Sequence, residues 1–466
     1  MIKRLYYILV LIFSVISIYL IFNATIVPNT ILYLIIFFYL INLILMYILI
    51  TRKRKIFIII GILLSLLIII INIGLVFVYH KSNSFFDKIT NVEYETNNYS
   101  VIVLKDSGYN KLDDISNIGL FYNEIDKNFK DAIIELDDKK ELDKKEYDNI
   151  LVLVTDFLSK KIDAIIVNDN YIDIIDEGND KFKDSIKIID TITINTEVKQ
   201  NRSLMNDISK LNSFNIYISG IDTYGPINKV SRSDVNIIAT INFKESKILL
   251  TNTPRDYYVQ LHGTTGNKDK LTHAGVYGID MSIKTLEDLY DTKIDYYFRV
   301  NFNSLIKIVD SIGGIDIYSD QELYLDKYHY SYGMNHCDGD KALRFARERK
   351  SYMEGDRHRG QNQQQVIEAI IKKVTQSKDV NTYFKLLDTL QDSFQTNIDK
   401  KMFNGFINLQ VKNNYNWQVE SIQANGYDDG GYTYSYPGQY LYVMQPDYDS
   451  LNNAKNKIKE LLESNE

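Results

Sequence analysis

Eight of the chain's 12 arginines fall in one window: Arg232, Arg255, Arg299, Arg344, Arg347, Arg349, Arg357 and Arg359. Most of the other basic residues are lysine. A guanidinium offers a planar five-donor fork that grips phosphate oxygens bidentately, which an ammonium cannot do. Solvated surface charge is the plain alternative. Several of these arginines adjoin apolar runs, however, where a lone charge is costly. The clustering points to a phosphate-bearing ligand.

Spacing sharpens this. In an extended segment Arg347 and Arg349 point the same way and can grip one pyrophosphate with two forks. Asp356 and Arg359 share a face if a helix begins near Asp356, and Gln363 continues that face one turn on. No nucleotide-binding glycine loop precedes them, so a nucleoside triphosphate is not implied.

These residues need a scaffold. Alternation predicts strands at Phe214–Ser219, Asp234–Phe243 and Lys247–Thr253. As an antiparallel meander they would bring Asp222, Asp234 and Arg255 to one rim of the sheet. Two carboxylates and a guanidinium there suit a hard cation bridging phosphate oxygens, with Mg²⁺ the natural candidate. The alternative is that both aspartates only cap turns. Pro254 restricts the backbone beside Arg255. Helices are expected at Thr285–Leu289, Ser304–Val309, Val366–Thr375 and Tyr448–Leu462, and a late strand at Trp417–Ile422.

Upstream lie three uncharged apolar stretches, Leu5–Phe22, Thr30–Ile50 and Ile56–Tyr79. Each is about long enough to cross ~30 Å of hydrocarbon. Lys3 and Arg4 precede the first, and Arg52 to Lys55 separate the second from the third. The positive-inside rule then places the N-terminus in the cytoplasm and everything after Lys81 outside. The chain is expected to be a multi-pass cell-membrane protein with three spans and extracellular C-terminal domains.

Between Val92 and Val198 arginine is absent. Short apolar strands (Tyr99–Leu104, Ile150–Val154, Ala164–Val167) alternate there with helix-like stretches such as Lys139–Tyr147. Leu158 to Val167 resembles part of one lobe of a periplasmic solute-binding fold. The region is read as a small α/β accessory domain, the alternative being a spacer. The net charge of −7 excludes a nucleic-acid binder by the basic footprint such proteins need. A single cysteine, Cys337, excludes a disulfide within the chain.

The arginine window also carries a set of ordered motifs. They are Ser219-Gly220-Ile221-Asp222, Ser231-Arg232-Ser233-Asp234, Thr253-Pro254-Arg255-Asp256, Asp295-Tyr296-Tyr297 with Val300-Asn301-Phe302, and Gly313-Gly314-Ile315-Asp316. Ala342 through Arg349, and Gly355-Asp356 through Arg359 to Gln363, complete it. Over about 155 residues, from Asn215 to Ile371, the chain resembles the LytR-CpsA-Psr family of cell-wall glycopolymer ligases. The expected layout is a three-helix anchor over 1–81, the α/β accessory domain over 92–200, and an α/β LCP-type domain over 213–466 with a central mixed sheet flanked by helices.

The resemblance implies a phosphotransferase. It would take a polyprenyl-pyrophosphate-linked polysaccharide, such as a teichoic acid or capsule precursor, and transfer its glycosyl phosphate to a peptidoglycan hydroxyl. The lipid tail would lie in a hydrophobic tunnel. By motif match Asp222 and Asp234 would hold Mg²⁺, and Arg255, Arg347, Arg349 and Arg359 would grip the pyrophosphate, with Gln363 in support. Arg232, Asp356 and Arg299 join the binding set. Asn362 stands where many members carry a further arginine. Such transfer depends on positioning and charge stabilisation, so no covalent nucleophile is required.

Two other classes fit the arginine cluster: a non-catalytic receptor for polyprenyl phosphates, and a carrier-lipid pyrophosphatase with water as acceptor. A receptor has no need of two metal-holding carboxylates. Cys337 beside His336 is read as structural rather than nucleophilic. His329 and His336 lack a third ligand at metal spacing. Tyr432, Tyr434 and Tyr436 read as one face of an edge strand, with a sugar-stacking platform as the alternative, and Trp417 as core.

Overall fold

The computed structural model describes residues 2–24, 29–52, 54–90, 94–197, 212–221, 226–353, 355–376, 394–398 and 400–464. The chain forms two compact units.

The first unit contains helices α1 (Ile2–Ala24), α2 (Asn29–Thr51) and α3 (Lys55–Thr90). Among the described residues, Tyr33–Thr51 and Lys55–Gly74 are long and apolar enough to cross a membrane. The apolar stretch of α1, Val10–Leu20, is shorter. Val10, Tyr39, Met46, Ile50 and Ile68 bury one another, while Leu34, Phe37, Ile70 and Ile73 face outward. Apolar helices in hydrocarbon gain little from apolar contact, so polar links help fix the bundle. Here the Tyr39 hydroxyl donates to Asn72 Oδ1 at 2.8 Å, and the Asn72 amide to Ser14 Oγ at 3.4 Å. The arrangement suits a membrane anchor.

The second unit opens with β1 (Tyr94–Leu104), β2 (Asn117–Phe121), α4 (Phe129–Lys139), β3 (Asp143–Tyr147), α5 (Ile150–Leu158), β4 (Ala164–Asn168), α6 (Asp169–Gly178), α7 (Phe182–Ser185) and β5 (Ile186–Glu197). The five strands form one sheet in the order β3-β2-β4-β1-β5. Two expectations fail here. Ile150–Val154 is helix, because the Asn149 side chain accepts from Leu151 N and the buried positions Ile150, Leu153, Val154 and Phe157 follow helical spacing. The stretch read as helix from Lys139 instead ends α4 and then forms β3, an edge strand whose charged residues suit an exposed sheet edge.

The remainder of the unit is built on a meander. β6 (Ser213–Ile221) pairs antiparallel with β7 (Ser233–Asn242), and β7 with β8 (Lys247–Asn252), as alternation predicts. Short strands β9 (Tyr258–Val259) and β10 (Asp269–Lys270) follow, then α8 (Leu271–Ala274) and α9 (Ile279–Tyr290). β11 (Tyr296–Asn301) lies parallel to β6. Next come α10 (Phe302–Ser311), β12 (Ile315–Ser319), β13 (Leu323–Leu325), β14 (Tyr328–Tyr330), β15 (Gly333–Cys337), α11 (Gly339–Arg347), α12 (Asp356–Gln376) and β16 (Phe394–Thr396). Helix α13 (Lys400–Asn413) belongs to the first unit. The chain then returns through β17 (Gln418–Gln423), the hairpin β18 (Gly426–Tyr432) and β19 (Tyr440–Pro446), and α14 (Tyr448–Glu463).

The central sheet is mixed, in the order β16-β11-β6-β7-β8-β17. Alternation along β7 serves two cores. Ile238 packs with Ile279, Ile283 and Leu286 of α9 and with Leu451, Ala454 and Ile458 of α14. Ile237 and Ala239 face Ile367 and Ile371 of α12 and the half-buried Trp417, whose ring meets Phe243 edge-on at 5.4 Å. The result is an α/β domain with its mixed sheet between helices.

Candidate active site

The meander delivers Asp234 and Arg255 to each other. Arg255 Nη1 donates to both Asp234 carboxylate oxygens at 3.1 Å, and Thr272 Oγ1 donates to Oδ1 at 3.0 Å. Asp222, one residue past β6, lies outside the described residues. Local packing fixes the pair. Thr253 N donates to Asn236 O, and Thr272 N to Arg255 O, each at 2.8 Å. Gly275 lets its segment press on the residues that lead into β7: a Cβ there would stand 2.6 Å from Ser231 O and 2.7 Å from Ser233 N.

An ion-pair chain extends from this pair into α6. Arg255 Nε meets Asp256 Oδ2 at 3.3 Å, and Asp256 Oδ1 is 3.4 Å from Lys270 Nζ. Lys270 donates to Glu177 Oε2 at 2.6 Å. Arg232 spans Glu177 Oε1 at 2.9 Å and Asp173 Oδ2 at 3.0 Å. Burial would raise the Asp234 carboxyl, but the guanidiniums of Arg255, Arg232 and Arg359 outweigh it and hold the group below its usual range. Glu177 behaves alike: burial opposes, while His273, Lys270 and Arg232 prevail and lower it. Both stay ionised at neutral pH.

Helix α12 supplies the next group. A Cβ at Gly360 would lie 2.3 Å from Asn252 Nδ2, so this glycine lets α12 approach the end of β8. Arg359 is buried and Gln363 half-buried. Asp356 begins the helix, as expected, and its side chain lies outside the described residues. Asn362 is structural: its amide donates to Phe345 O at 3.2 Å and ties α12 to α11. Gln364, missed in the sequence, donates to Leu250 O and Ile422 O at 3.1 and 2.6 Å.

Arg347 and Arg349 are both exposed, but not on one extended segment. Arg347 is the last residue of α11, whose N-cap Asp338 accepts from Lys341 N, and the chain turns extended at Glu348. The Arg347 guanidinium stacks over the Phe302 ring at 4.2 Å. Arg344 pairs with Asp326, and Arg357 lies 3.6 Å from Asp428.

Arg299 departs from expectation. It is 1 % exposed and donates to Glu95 Oε1 at 3.1 Å, Gln395 Oε1 at 3.3 Å and Lys229 O at 3.2 Å. Its terminal nitrogens clamp β1 to β11, so its described contacts are structural. The tyrosine reading is corrected. Tyr432 ends β18, but Tyr436 is fully buried and Tyr434 meets Tyr277 edge-on. Burial pushes the Cys337 thiol up to about 12, which leaves no thiolate for attack. His329 and His336 pair with Glu322 and Asp316.

Sequence reasoning missed Asp173, Glu177, Lys270 and Thr272. The last two follow Arg255 at no periodic spacing, and the carboxylates come from a region whose link to the site is purely tertiary. For a divalent cation Asp234 supplies an ionised hard oxygen donor. No group of three or more His, Cys, Asp or Glu side chains converges to hold one among the described residues.

The chain is 33 % identical over 247 residues to the Bacillus cereus protein named polyisoprenyl-teichoic acid–peptidoglycan teichoic acid transferase TagU, covering 53 % of this chain and 79 % of that one. The protein of that name from Halalkalibacterium halodurans is 32 % identical over 224 residues, 48 % of this chain and 71 % of that one. Among solved structures, B. subtilis TagV shares 26 % identity over 54 % of this chain and 98 % of its own, with a TM-score of 0.46. Residues 182–459, more than half of the chain, match the LytR_cpsA_psr family, and the chain belongs to that family.

Proposed function

We propose that this chain is a membrane-anchored transferase that moves a glycopolymer from a polyprenyl-pyrophosphate carrier to a peptidoglycan hydroxyl outside the cell. The observation that carries the reading is the Asp234–Arg255 pair, an ionised carboxylate under three guanidiniums at the sheet rim. The names of the relatives support the polymer and acceptor classes.

In this reading Arg347, Arg349 and Arg359, with Gln363, grip the pyrophosphate, and Arg255 and Arg232 balance charge behind it. Asp222 and Asp234 would hold Mg²⁺, which would offset charge on the pyrophosphate oxygens. The acceptor oxygen forms a bond to the glycan-side phosphorus, the bridging P–O bond breaks, and polyprenyl phosphate departs with that electron pair. The hydroxyl proton passes to solvent. Fixed donors aimed at the developing charge supply the catalysis.

The test incubates the full chain in nanodiscs with a polyprenyl-pyrophosphoryl saccharide, Mg²⁺ and peptidoglycan, and looks for covalent glycan–peptidoglycan product. Binding without product would mark a receptor, and glycosyl phosphate released without peptidoglycan would mark a pyrophosphatase. Either result overturns the proposal. The same reading makes α1 a third span, with the N-terminus inside. Protease added to intact wall-stripped cells should then cut after Lys81 and spare residues 52–55.

A further inference from the structure

The β18–β19 hairpin exposes a row of aromatic rings that the site as described does not use. Tyr432 pairs with Tyr440 and Gly430 with Tyr442, and cross-strand partners share a face. Tyr432, Tyr440 and Tyr442 therefore line one face, 51 %, 59 % and 46 % exposed, while Leu441 and Val443 of the opposite face are buried. The rings are ordered rather than loose. Tyr432 and Tyr440 meet edge-on at 5.3 Å, and the Tyr442 hydroxyl donates to Asp428 at 2.8 Å. Tyr440 lies against Gly430, where a Cβ would come within 2.1 Å of the ring. Only glycine admits that ring, and with no side chain beneath it the ring's outer side stays open.

This hairpin adjoins the ion-pair chain that runs from Arg255 to α6. Met444 N of β19 donates to Asp256 O at 2.8 Å, next to Arg255. Lys270 Nζ stands 5.9 Å from the Tyr442 ring centroid, and Arg357 lies 3.6 Å from Asp428. A saccharide presents apolar C–H faces that stack on aromatic rings and hydroxyls that donate to carboxylates. Asp428, exposed and paired with Met444 on the face of Tyr440 and Tyr442, adds negative charge there. It favours hydroxyl donors and repels a polyanionic polymer.

We infer that the outer face of this hairpin docks the neutral sugar rings of the acceptor glycan strand, resting on the proposed function for the identity of that acceptor. Docking there would bring the acceptor hydroxyl toward the proposed pyrophosphate site at Asp234 and Arg255. The geometry favours the acceptor over the donor polymer, whose phosphates would meet Asp428.

The test titrates the full chain in nanodiscs with chitohexaose, as a neutral glycan probe, and separately with geranylgeranyl pyrophosphate and a glycerol-phosphate oligomer. Tyr440→Ala and Tyr442→Ala should each weaken chitohexaose binding about three- to tenfold, the worth of one aromatic contact. Tyr440→Phe should stay within about twofold, which separates lost stacking from a misfolded hairpin. Pyrophosphate affinity should not move in any of the three. Undiminished chitohexaose binding in both alanine variants overturns the inference, as does a wild-type chain that binds pyrophosphate but no chitohexaose. Loss of the glycerol-phosphate oligomer instead assigns the face to the donor and overturns it too. Failure of the wild type to bind pyrophosphate would count against the proposed function rather than against the hairpin.

Discussion

Arg299 and Glu95 form a buried pair whose removal separates a structural arginine from a ligand-binding one. Their side chains are 2 % and 14 % exposed. Arg299→Leu would leave the Glu95 carboxylate with one long contact, from Ile279 N at 3.4 Å. An uncompensated buried charge of this kind costs about 3–5 kcal/mol. Glu95→Gln is milder, about 2 kcal/mol, because the guanidinium keeps Gln395 Oε1 and Lys229 O and can still donate to the amide oxygen. The double variant should lose less than the sum of the two, by at least ~1.5 kcal/mol, since the penalty of an orphaned charge is then absent. Urea unfolding of the full chain in micelles reads the stabilities, and geranylgeranyl pyrophosphate titration reads the site. Affinity should stay within about twofold wherever the protein is folded. Arg299→Leu with wild-type stability and tenfold weaker binding would falsify the clamp and restore Arg299 to the ligand set.

The exposed arginines should behave oppositely. Arg347→Lys and Arg349→Lys keep charge but lose the fork, so each should weaken pyrophosphate binding about ten- to a hundredfold, with a stability loss below about 1 kcal/mol from the Arg347–Phe302 stack. Asp234→Asn should lower transfer at least a hundredfold, roughly 3 kcal/mol, and the residual transfer should depend less on Mg²⁺. The carboxylate is buried against Arg255 and Thr272, so a stability loss of about 1–3 kcal/mol should accompany it, and wild-type transfer would end the metal assignment. Glu177 is held below its ordinary value of 4.5, so its stabilisation is full above that pH and lost as pH falls through the lower folded value. Glu177→Gln should flatten the acid limb of a stability–pH curve, and an unchanged limb would refute its role. Cys337 should resist iodoacetamide at pH 8 until the protein is denatured, whereas rapid labelling of the native chain would contradict its burial.

Much of the central sheet was legible because period-two alternation and polar turns specify a meander without help from distant residues. The Asp234–Arg255 contact followed from that geometry alone. Helix α5 was not legible: its Ile-Leu-Val-Leu-Val start reads as strand, and the helical period emerges only once Phe157 and the Asn149 cap are included. Spacing suits Arg347 and Arg349 to one extended segment, yet the Asp338 cap and buried Leu343 and Ala346 carry the helix through Arg347. Arg299 shows the limit of residue type as a signal. A guanidinium that binds phosphate and one that clamps a carboxylate are the same in sequence, and only the partner, Glu95, tells them apart.

The ion-pair chain through α6 determines how the site responds to ionic strength. Arg232, Lys270 and Arg255 already face four carboxylates, Asp173, Glu177, Asp256 and Asp234, with side-chain exposures between 5 % and 35 %. Dissolved ions screen such sheltered pairs weakly. Arg347 and Arg349, standing in solvent, are damped over a Debye length of about 8 Å at physiological salt. Added salt should therefore erode only the exposed contribution to anion binding. The slope of affinity against salt would report the charges that meet the ligand from solvent, while the α/β region keeps the buried ones neutralised as a covalently attached counterion.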